Sequence, residues 1–172
     1  MKEEITSLKN KMVNPEGFFK DVIKEIRKTT KIENIDFLAL DEKTGGFITK
    51  YSTNGSKVCI TRTELKLLCL NNKEGIIFPE TEFNHSDQSI IRWTLFTKTR
   101  WKVWFYKICA IMPIYFDDKI ICLVLFRDQP NNRWTDRNIS HLKKIKVSTE
   151  YCLGSIFLYN QALGRVIREF EG

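Results

Sequence analysis

ICAIMPIYF, Ile108–Phe116, is the stretch that decides the fold of this chain. It is an apolar run of strand length, and IICLVLF at residues 120–126 is a second one. Asp117, Asp118 and Lys119 separate the two runs, and Asp is favoured where the backbone reverses direction. We therefore predict a β-hairpin here.

A polar loop, RDQPNNRWTD at residues 127–136, follows the hairpin and leads into a helix that we expect to reach the C-terminus. Thr135 is the predicted N-cap, and the negative charge of Asp136 favours the first helical turn. Apolar residues in this helix alternate spacings of four and three, which is the a/d pattern of a coiled-coil seam. The seam consists of Ile145, Thr149, Cys152, Ile156, Tyr159, Leu163, Val166 and Phe170. A second apolar line, Leu142, Leu153 and Phe157, predicts that one stripe faces the sheet and the other a partner helix.

The first half of the chain predicts helices around a small sheet. Residues 1–30 fit one helix with a break or two nearly collinear helices, with Asn14 as a cap and Pro15 in the first turn. Thr61 and Glu64 form a capping box that starts another helix. Short strands are predicted at residues 35–40, 47–51, 58–60 and 76–78.

Residues 80–107 carry a less regular pattern. SDQSIIRWTLF, starting at Ser86, fits a turn or two of helix capped by Ser86 or Asp87. RWKVWFYK, at residues 100–107, fits the start of the strand that continues as ICAIMPIYF. In that strand, Trp101, Val103 and Phe105 would alternate with Lys102 and Trp104.

Bulk properties limit the class of protein. The chain has 172 residues, is 42% hydrophobic and carries a net charge of +7, which permits anionic partners without requiring them. No apolar run approaches the roughly 18 residues of a membrane span, and the polar N-terminus lacks the apolar core of a secretory signal. We expect a cytoplasmic domain without membrane contact. The 5 cysteines lie far apart with no C-x-x-C pair, so we expect thiols rather than a disulfide framework or a zinc site.

The closing half of the chain resembles a GAF domain. The resemblance lies in AIMPI at residues 110–114, FDDK at residues 116–119, IICLVLF and the helix start RWTDRNISHL at residues 133–142. It implies an α+β fold, with an antiparallel GAF/PAS-like sheet flanked by helices and long N- and C-terminal helices. It also implies a linker helix at residues 1–13, a sensory domain at 14–160 and an extension of a signalling helix at 161–172. A PAS domain is the main rival fold.

The chain departs from the GAF pattern at several places. Cys122 replaces the usual Gly of the penultimate strand, and NNRWTDRN at residues 131–138 fits the cyclic-nucleotide signature poorly. Neither His85 nor His141 follows a cysteine, which argues against a covalent bilin. We therefore predict no particular cofactor.

The densest chemical feature is the aromatic–basic segment, residues 92–107, which lies in a stretch without acidic residues between Asp87 and Asp117. Aromatic faces beside cations suit a small anionic or aromatic ligand. The predicted ligand residues are Arg92, Trp93, Arg100, Trp101, Trp104, Cys109 and Tyr115. Two alternatives stay open: an edge strand with its rings in the core, and a surface that stacks single-stranded nucleic acid.

Catalytic motifs are absent from the sequence, and neither histidine has metal-ligand spacing, so we predict neither an enzyme nor a metal site. The first hypothesis is a regulatory sensor that binds a small molecule and relays its state to a covalently linked output domain. The relay would pass through a homodimer whose interface contains Cys152, Ile156, Tyr159, Leu163 and Val166. The alternative is a ligand-free dimerisation module with a filled pocket.

Overall fold

The computed structural model describes residues 2–68, 75–79 and 90–172, with side chains except at 67–68, 90–97 and 131. Within these ranges a five-stranded antiparallel sheet has flanking helices on both faces, which confirms the predicted α+β class. Its strand order is β3-β2-β1-β5-β4. The strands are β1 Asn34–Leu40, β2 Phe47–Ser52, β3 Cys59–Ile60, β4 Ile108–Phe116 and β5 Lys119–Arg127. Ile77 adds one antiparallel bridge to Ile111 of β4, where the sequence predicted a short strand.

The predicted hairpin of β4 and β5 is confirmed, with a tighter turn than expected. Lys119 already pairs with Phe116, so Asp117 and Asp118 alone form the turn. Their φ angles are 49° and 58°, the combination that type I′ turns require at both central positions. This turn suits the right-handed twist of the paired strands.

The described helices agree with most of the predicted boundaries. They are α1 Lys2–Asn10, α2 Glu16–Thr30, α3 Arg62–Leu68, α4 Ile90–Phe105 and α5 Asp136–Glu171. The break between α1 and α2 falls where predicted, but α2 begins at Glu16, after Pro15, and the Asn14 side chain accepts a hydrogen bond from Glu16 N at 3.0 Å.

Two predicted helix starts have their capping hydrogen bonds. Thr61 N donates to Glu64 Oε2 at 2.8 Å, and Glu64 N donates to Thr61 Oγ1 at 3.2 Å. Asn138 N donates to Thr135 Oγ1 at 3.2 Å. The predicted cap at Ser86 or Asp87 lies outside the described residues.

The strand predicted for residues 100–107 is wrong, because α4 continues to Phe105 and β4 begins only at Ile108. Among residues 98–105 of α4, Thr99 and Val103, one helical turn apart, are buried, whereas Trp101 and Phe105 are exposed and stack with ring centroids 5.0 Å apart. Trp101, Val103 and Phe105 alternate with Lys102 and Trp104 along the sequence, but burial follows the helical period. The chain leaves the helix through Lys107, whose φ is 51°.

Two apolar clusters cover the two faces of the sheet. The α5 side is packed by α2 and α5, and the α4 side by α3, α4 and Ile77. On the α5 side the fully buried sheet residues include Phe37, Met112, Val124 and Phe126. On the α4 side they include Leu38, Ile111, Leu123 and Leu125.

Helix α1 packs along the C-terminal half of α5. Lys9 Nζ lies 2.8 Å from Glu171 Oε1, and Asn160 exchanges two hydrogen bonds with the backbone of Val13, at 2.9 and 3.0 Å. Because residue numbers rise along α1 while their partners' numbers fall along α5, the helices are antiparallel. In the described ranges no helix combines the length and apolar character needed to cross a bilayer.

Candidate functional site

Three of the predicted ligand residues, Arg100, Trp101 and Trp104, lie on the surface of the domain. The exposed fractions are 57% for Trp101 and 74% for Trp104, and Arg100 is also exposed. Val103, on the opposite side of the helix, is buried against the sheet. The side chains of Arg92 and Trp93 are not among those that the structure describes. The described part of α4 therefore presents these rings to solvent rather than to the interior.

Cys109 and Tyr115 lie near opposite ends of β4, about 20 Å apart along the strand. The Cys109 sulfur accepts a hydrogen bond from Gln129 N at 3.4 Å. Tyr115 faces the α5 side, where Lys146 Nζ lies 5.1 Å from its ring centroid. The structure thus places Tyr115 with α5, whereas Arg100, Trp101 and Trp104 belong to the helix on the other face of the sheet.

An ion pair between the partly buried Lys102 and the buried Glu64 lies beside the cluster on the α4 side. Lys102 Nζ is 2.7 Å from Glu64 Oε1 and also donates to the carbonyl oxygen of Cys59 at 2.9 Å. Burial alone would raise the pKa of Glu64, but the hydrogen bonds and charge of Lys102, together with the bonds from Thr61, outweigh burial and lower it. Glu64 is therefore a carboxylate that stays ionised among aliphatic side chains and pairs with Lys102.

The space beside this pair is small. Ile60, Glu64, Thr99, Lys102, Val103 and Ile108 line a cavity of about 10 Å³. A volume of that size holds one water molecule at most. A larger ligand would have to displace side chains of this cluster.

Helix α5 is fixed to the end of β4 by contacts that sequence analysis missed. Glu150 Oε1 accepts a hydrogen bond from Tyr115 N at 3.0 Å and forms an ion pair with Lys146, which is only 7% exposed. Gly154, one turn further, packs under the ring of Phe116. The spacing of Lys146 and Glu150 by four residues was visible in the sequence, but that pattern usually marks a solvent-exposed pair.

The predicted a/d seam divides into two parts along α5. Ile145 and Thr149 are buried in the domain's own core, and Ile156 packs partly against it. From Cys152 onward the d positions are exposed, with Tyr159 at 46% and Val166 at 38%. Leu163 is half-buried, and Phe170 is 48% exposed. The apolar surface open to a partner therefore extends from Cys152 to Phe170.

A second buried ion pair, also missed from the sequence, fixes the loop after β2. Arg127 Nε lies 2.6 Å from Asp36 Oδ2, and both side chains are almost fully buried. Ser52 Oγ donates to Asp36 Oδ1 at 2.6 Å, and Arg127 also contacts Asn54 in the turn at Asn54-Gly55. Asp36, a charged residue inside the apolar run of β1, was the one sign of this ion pair in the sequence of that strand.

Solved structures with the same architecture identify the fold. The chain is similar to a GAF domain/HD domain protein from Geobacter sulfurreducens, with a TM-score of 0.53 and 14% identity over 93% of this chain and 97% of that one. This architecture is the GAF fold. The PixJ GAF domain of Thermosynechococcus elongatus, in its blue-light absorbing form, superposes on this GAF-fold domain with a TM-score of 0.51, at 10% identity over 87% and 90% of the two chains.

The GAF domain of a two-component sensor histidine kinase from Bacillus halodurans is a further neighbour. It has a TM-score of 0.50 and 16% identity over 81% of this chain and 96% of that one. No protein-family model and no curated protein matches the sequence. At these identities the similarity establishes the fold alone.

Proposed function

We propose that this GAF-fold domain is a cytoplasmic regulatory sensor that relays the state of its sheet to a covalently linked output domain. The observation that carries the proposal is the continuity of α5, an uninterrupted helix of 36 residues. Its first half is fixed to β4 by Glu150 and Gly154, and its second half exposes the apolar seam. A rigid helix with these two contacts can transmit a shift at the sheet to a partner, and helix shifts at subunit interfaces are a known switching mode.

The proposed partner of the seam is α5 of a second copy, in parallel. Cys152, Tyr159 and Val166 repeat every seven residues as d positions, and Ile156 and Leu163 are the a positions between them. Heptad seams with apolar a and d residues pair in this way. The similar domain from Bacillus halodurans supports a relay, since it belongs to a two-component sensor histidine kinase.

Light scattering of two matched double variants tests the dimer. Tyr159→Asp with Val166→Asp introduces charges into the exposed seam, and we expect a monomer that keeps the wild-type circular dichroism spectrum. Val147→Asp with Tyr151→Asp is the control, because these residues are 66% and 78% exposed on another face of α5. A wild-type monomer, or a dimer that survives the seam variant, would rule out the proposed pairing.

The proposed ligand is a small anionic or aromatic molecule that binds on the α4 side, near Glu64 and Lys102. An apolar site with a few convergent polar groups is the usual form of a small-molecule site. Because the described cavity beside the pair accepts one water at most, ligand binding would require the cluster to open. Opening of the cluster would shift the strands of the sheet, and α5 would move with β4.

A second candidate, a ligand-free dimerisation module, is favoured by the same small cavity. A thermal-shift screen with nucleotides, haem and small anions separates the two candidates. A sensor is stabilised by about 2.7 kcal/mol when a ligand is present at 100 times its Kd. If no member of the panel raises the melting temperature while the dimer persists, the ligand-free module is the better description.

A further inference from the structure

We propose that the C-terminal half of α4 is a docking surface for an anionic lipid bilayer. Its exposed side carries three large rings, which we call the aromatic face: Trp101, Trp104 and Phe105, with exposed fractions of 57%, 74% and 56%. Burying such rings in the domain would remove apolar surface from water, yet here they remain exposed. Exposed clusters of large apolar side chains mark interaction sites.

The helix geometry places one cation on each side of the aromatic face. At about 100° per residue, Trp104 lies about 60° to one side of Trp101 and Phe105 about 40° to the other side. Lys98 falls about 60° away on the Phe105 side, and Arg100 about 100° away on the Trp104 side. Both are exposed, while Val103 turns inward to the sheet. Aromatic rings flanked by basic residues on one helix form the pattern of a helix that lies at a membrane surface.

Charge complementarity identifies the lipid class. The chain has no acidic residue between Asp87 and Asp117, so nothing within α4 or β4 offsets the cations. Lys102 is already paired with Glu64, and Lys107 lies 3.5 Å from Asp128, which leaves Lys98 and Arg100 as the cations assigned to the surface. Each basic residue near an anionic leaflet strengthens binding by about fivefold. The proposed partner is therefore a bilayer that contains acidic phospholipid.

The arrangement of the rings favours lipid over nucleic acid. Trp101 and Phe105 stack on each other at an interplanar angle of 15°, so their facing surfaces are not available to bases. Proteins that stack single strands combine such rings with a groove for the backbone, whereas this surface is the convex side of a helix. Indole rings favour the headgroup level of a bilayer. The expectation of no membrane contact came from the lack of an apolar run long enough to span a bilayer, whereas a helix that lies at the membrane surface needs no such run.

Sedimentation with vesicles tests the role of the rings in the full chain. We expect binding to vesicles of two parts phosphatidylcholine and one part phosphatidylserine, and at least about tenfold weaker binding to pure phosphatidylcholine. Trp101→Ala with Trp104→Ala should abolish binding without changing the thermal melt. Tyr151→Ala with Leu158→Ala removes comparably exposed apolar side chains from α5 and should leave binding unchanged. Equal losses in the two double variants would overturn the proposal.

A second pair of variants tests the cations. Lys98→Gln with Arg100→Gln should weaken binding to the acidic vesicles by roughly 20-fold. Lys143→Gln with Lys144→Gln removes the same charge from exposed positions on α5, and we expect less than a twofold change. Equal effects of the two double variants would show that net charge alone attracts the protein to the vesicles, and would overturn the proposed docking surface. Tighter binding of a single-stranded oligonucleotide, lost in the tryptophan variant, would assign the surface to nucleic acid and also overturn the proposal.

Discussion

The ring of Phe116 packs against the backbone of Gly154, joining the end of β4 to the middle of α5. A Cβ atom at position 154 would lie 2.5 Å from Phe116 Cδ2 and 2.9 Å from Cε2, which is closer than carbon atoms approach. Glycine is therefore required for this contact. The same strand end is held by the hydrogen bond from Tyr115 N to Glu150, one turn earlier in α5. These two contacts are the physical basis for a relay from the sheet to the helix.

Gly154→Ala should destabilise the domain by about 1–2 kcal/mol in urea unfolding, because overpacking costs more than the helix propensity of alanine returns. Gly164→Ala on the same helix is the matched control. Its Cβ would lie 3.7 Å from Met12 Cε, an ordinary contact, so we expect stabilisation of up to about 1 kcal/mol. If both variants gained stability, Phe116 would have to move without cost and the close contact would not constrain α5.

Glu64→Gln should lower the stability at neutral pH by about 1–3 kcal/mol, because it removes the anion that pairs with Lys102. Glutamine still provides an acceptor for Thr61 N, so the capping box is retained. Glu33→Gln is a control, since its pair with Arg27 is exposed and 3.9 Å long, and should change the stability by less than about 0.5 kcal/mol.

Glu64→Gln should also change how the free energy of unfolding depends on pH below neutrality. The pKa of Glu64 is lowered in the folded state, so the stability it contributes is present above the ordinary carboxylate pKa and is lost as pH falls through the folded pKa. We expect the Glu64→Gln variant to lose less stability than the wild type between neutral pH and acid. Parallel curves in urea titrations at several pH values would contradict the ionised buried pair.

Asp36→Asn should cost about 3–5 kcal/mol, because it leaves the buried guanidinium of Arg127 without its counter-ion. Asp36→Leu combined with Arg127→Met should restore most of that loss, since an apolar pair needs no desolvation of charge. Urea unfolding of the two variants measures the difference. A double variant as unstable as the single one would mean that the polar network, rather than the ion pair, holds the loop after β2.

Asp118→Gly should stabilise the domain by roughly 0.5–1 kcal/mol, because residue 118 has a φ of 58° and glycine adopts that region without a Cβ clash. Asp118→Val should destabilise it by about 1–2 kcal/mol at the same position, because a β-branched residue is strained there. Thermal melts of both variants check the type I′ turn. Equal melting temperatures would indicate that the hairpin tolerates a different turn.

Much of the fold followed from local patterns in the sequence. The two apolar runs of β4 and β5, the cap at Thr135 and the capping box at Thr61 each depend on neighbours within a few residues, so the sequence alone predicts them. A turn or two of helix was predicted for the start of α4, but its C-terminal part was predicted as a strand, because Trp101, Val103 and Phe105 alternate with Lys102 and Trp104. Its true period appears in the burial of Thr99 and Val103, which depends on packing against the sheet.

The contacts that fix α5 could not be predicted for a different reason. Glu150 meets Tyr115 N, and Gly154 meets Phe116, only after the helix has docked on the sheet, so both contacts depend on tertiary register. The seam was predicted as one continuous stripe, yet its first residues, Ile145 and Thr149, are buried in the domain itself. Heptad spacing identifies a helical face, whereas only the packed structure shows what covers each part of it.

Oxidative cross-linking through Cys152 tests the central claim, a parallel α5 dimer, most directly. The variant keeps Cys152 and carries Cys59→Ser, Cys69→Ser and Cys109→Ser, while Cys122 remains because burial raises the pKa of its thiol and keeps it unreactive. In a parallel, in-register pair, equivalent d positions such as Cys152 bring their Cα atoms within the roughly 4.4–6.8 Å that a disulfide spans. We predict rapid formation of a disulfide-linked dimer from Cys152, and none when Cys152→Ser is combined with Leu158→Cys. Absence of the Cys152 cross-link, or an equal yield from position 158, would contradict the account.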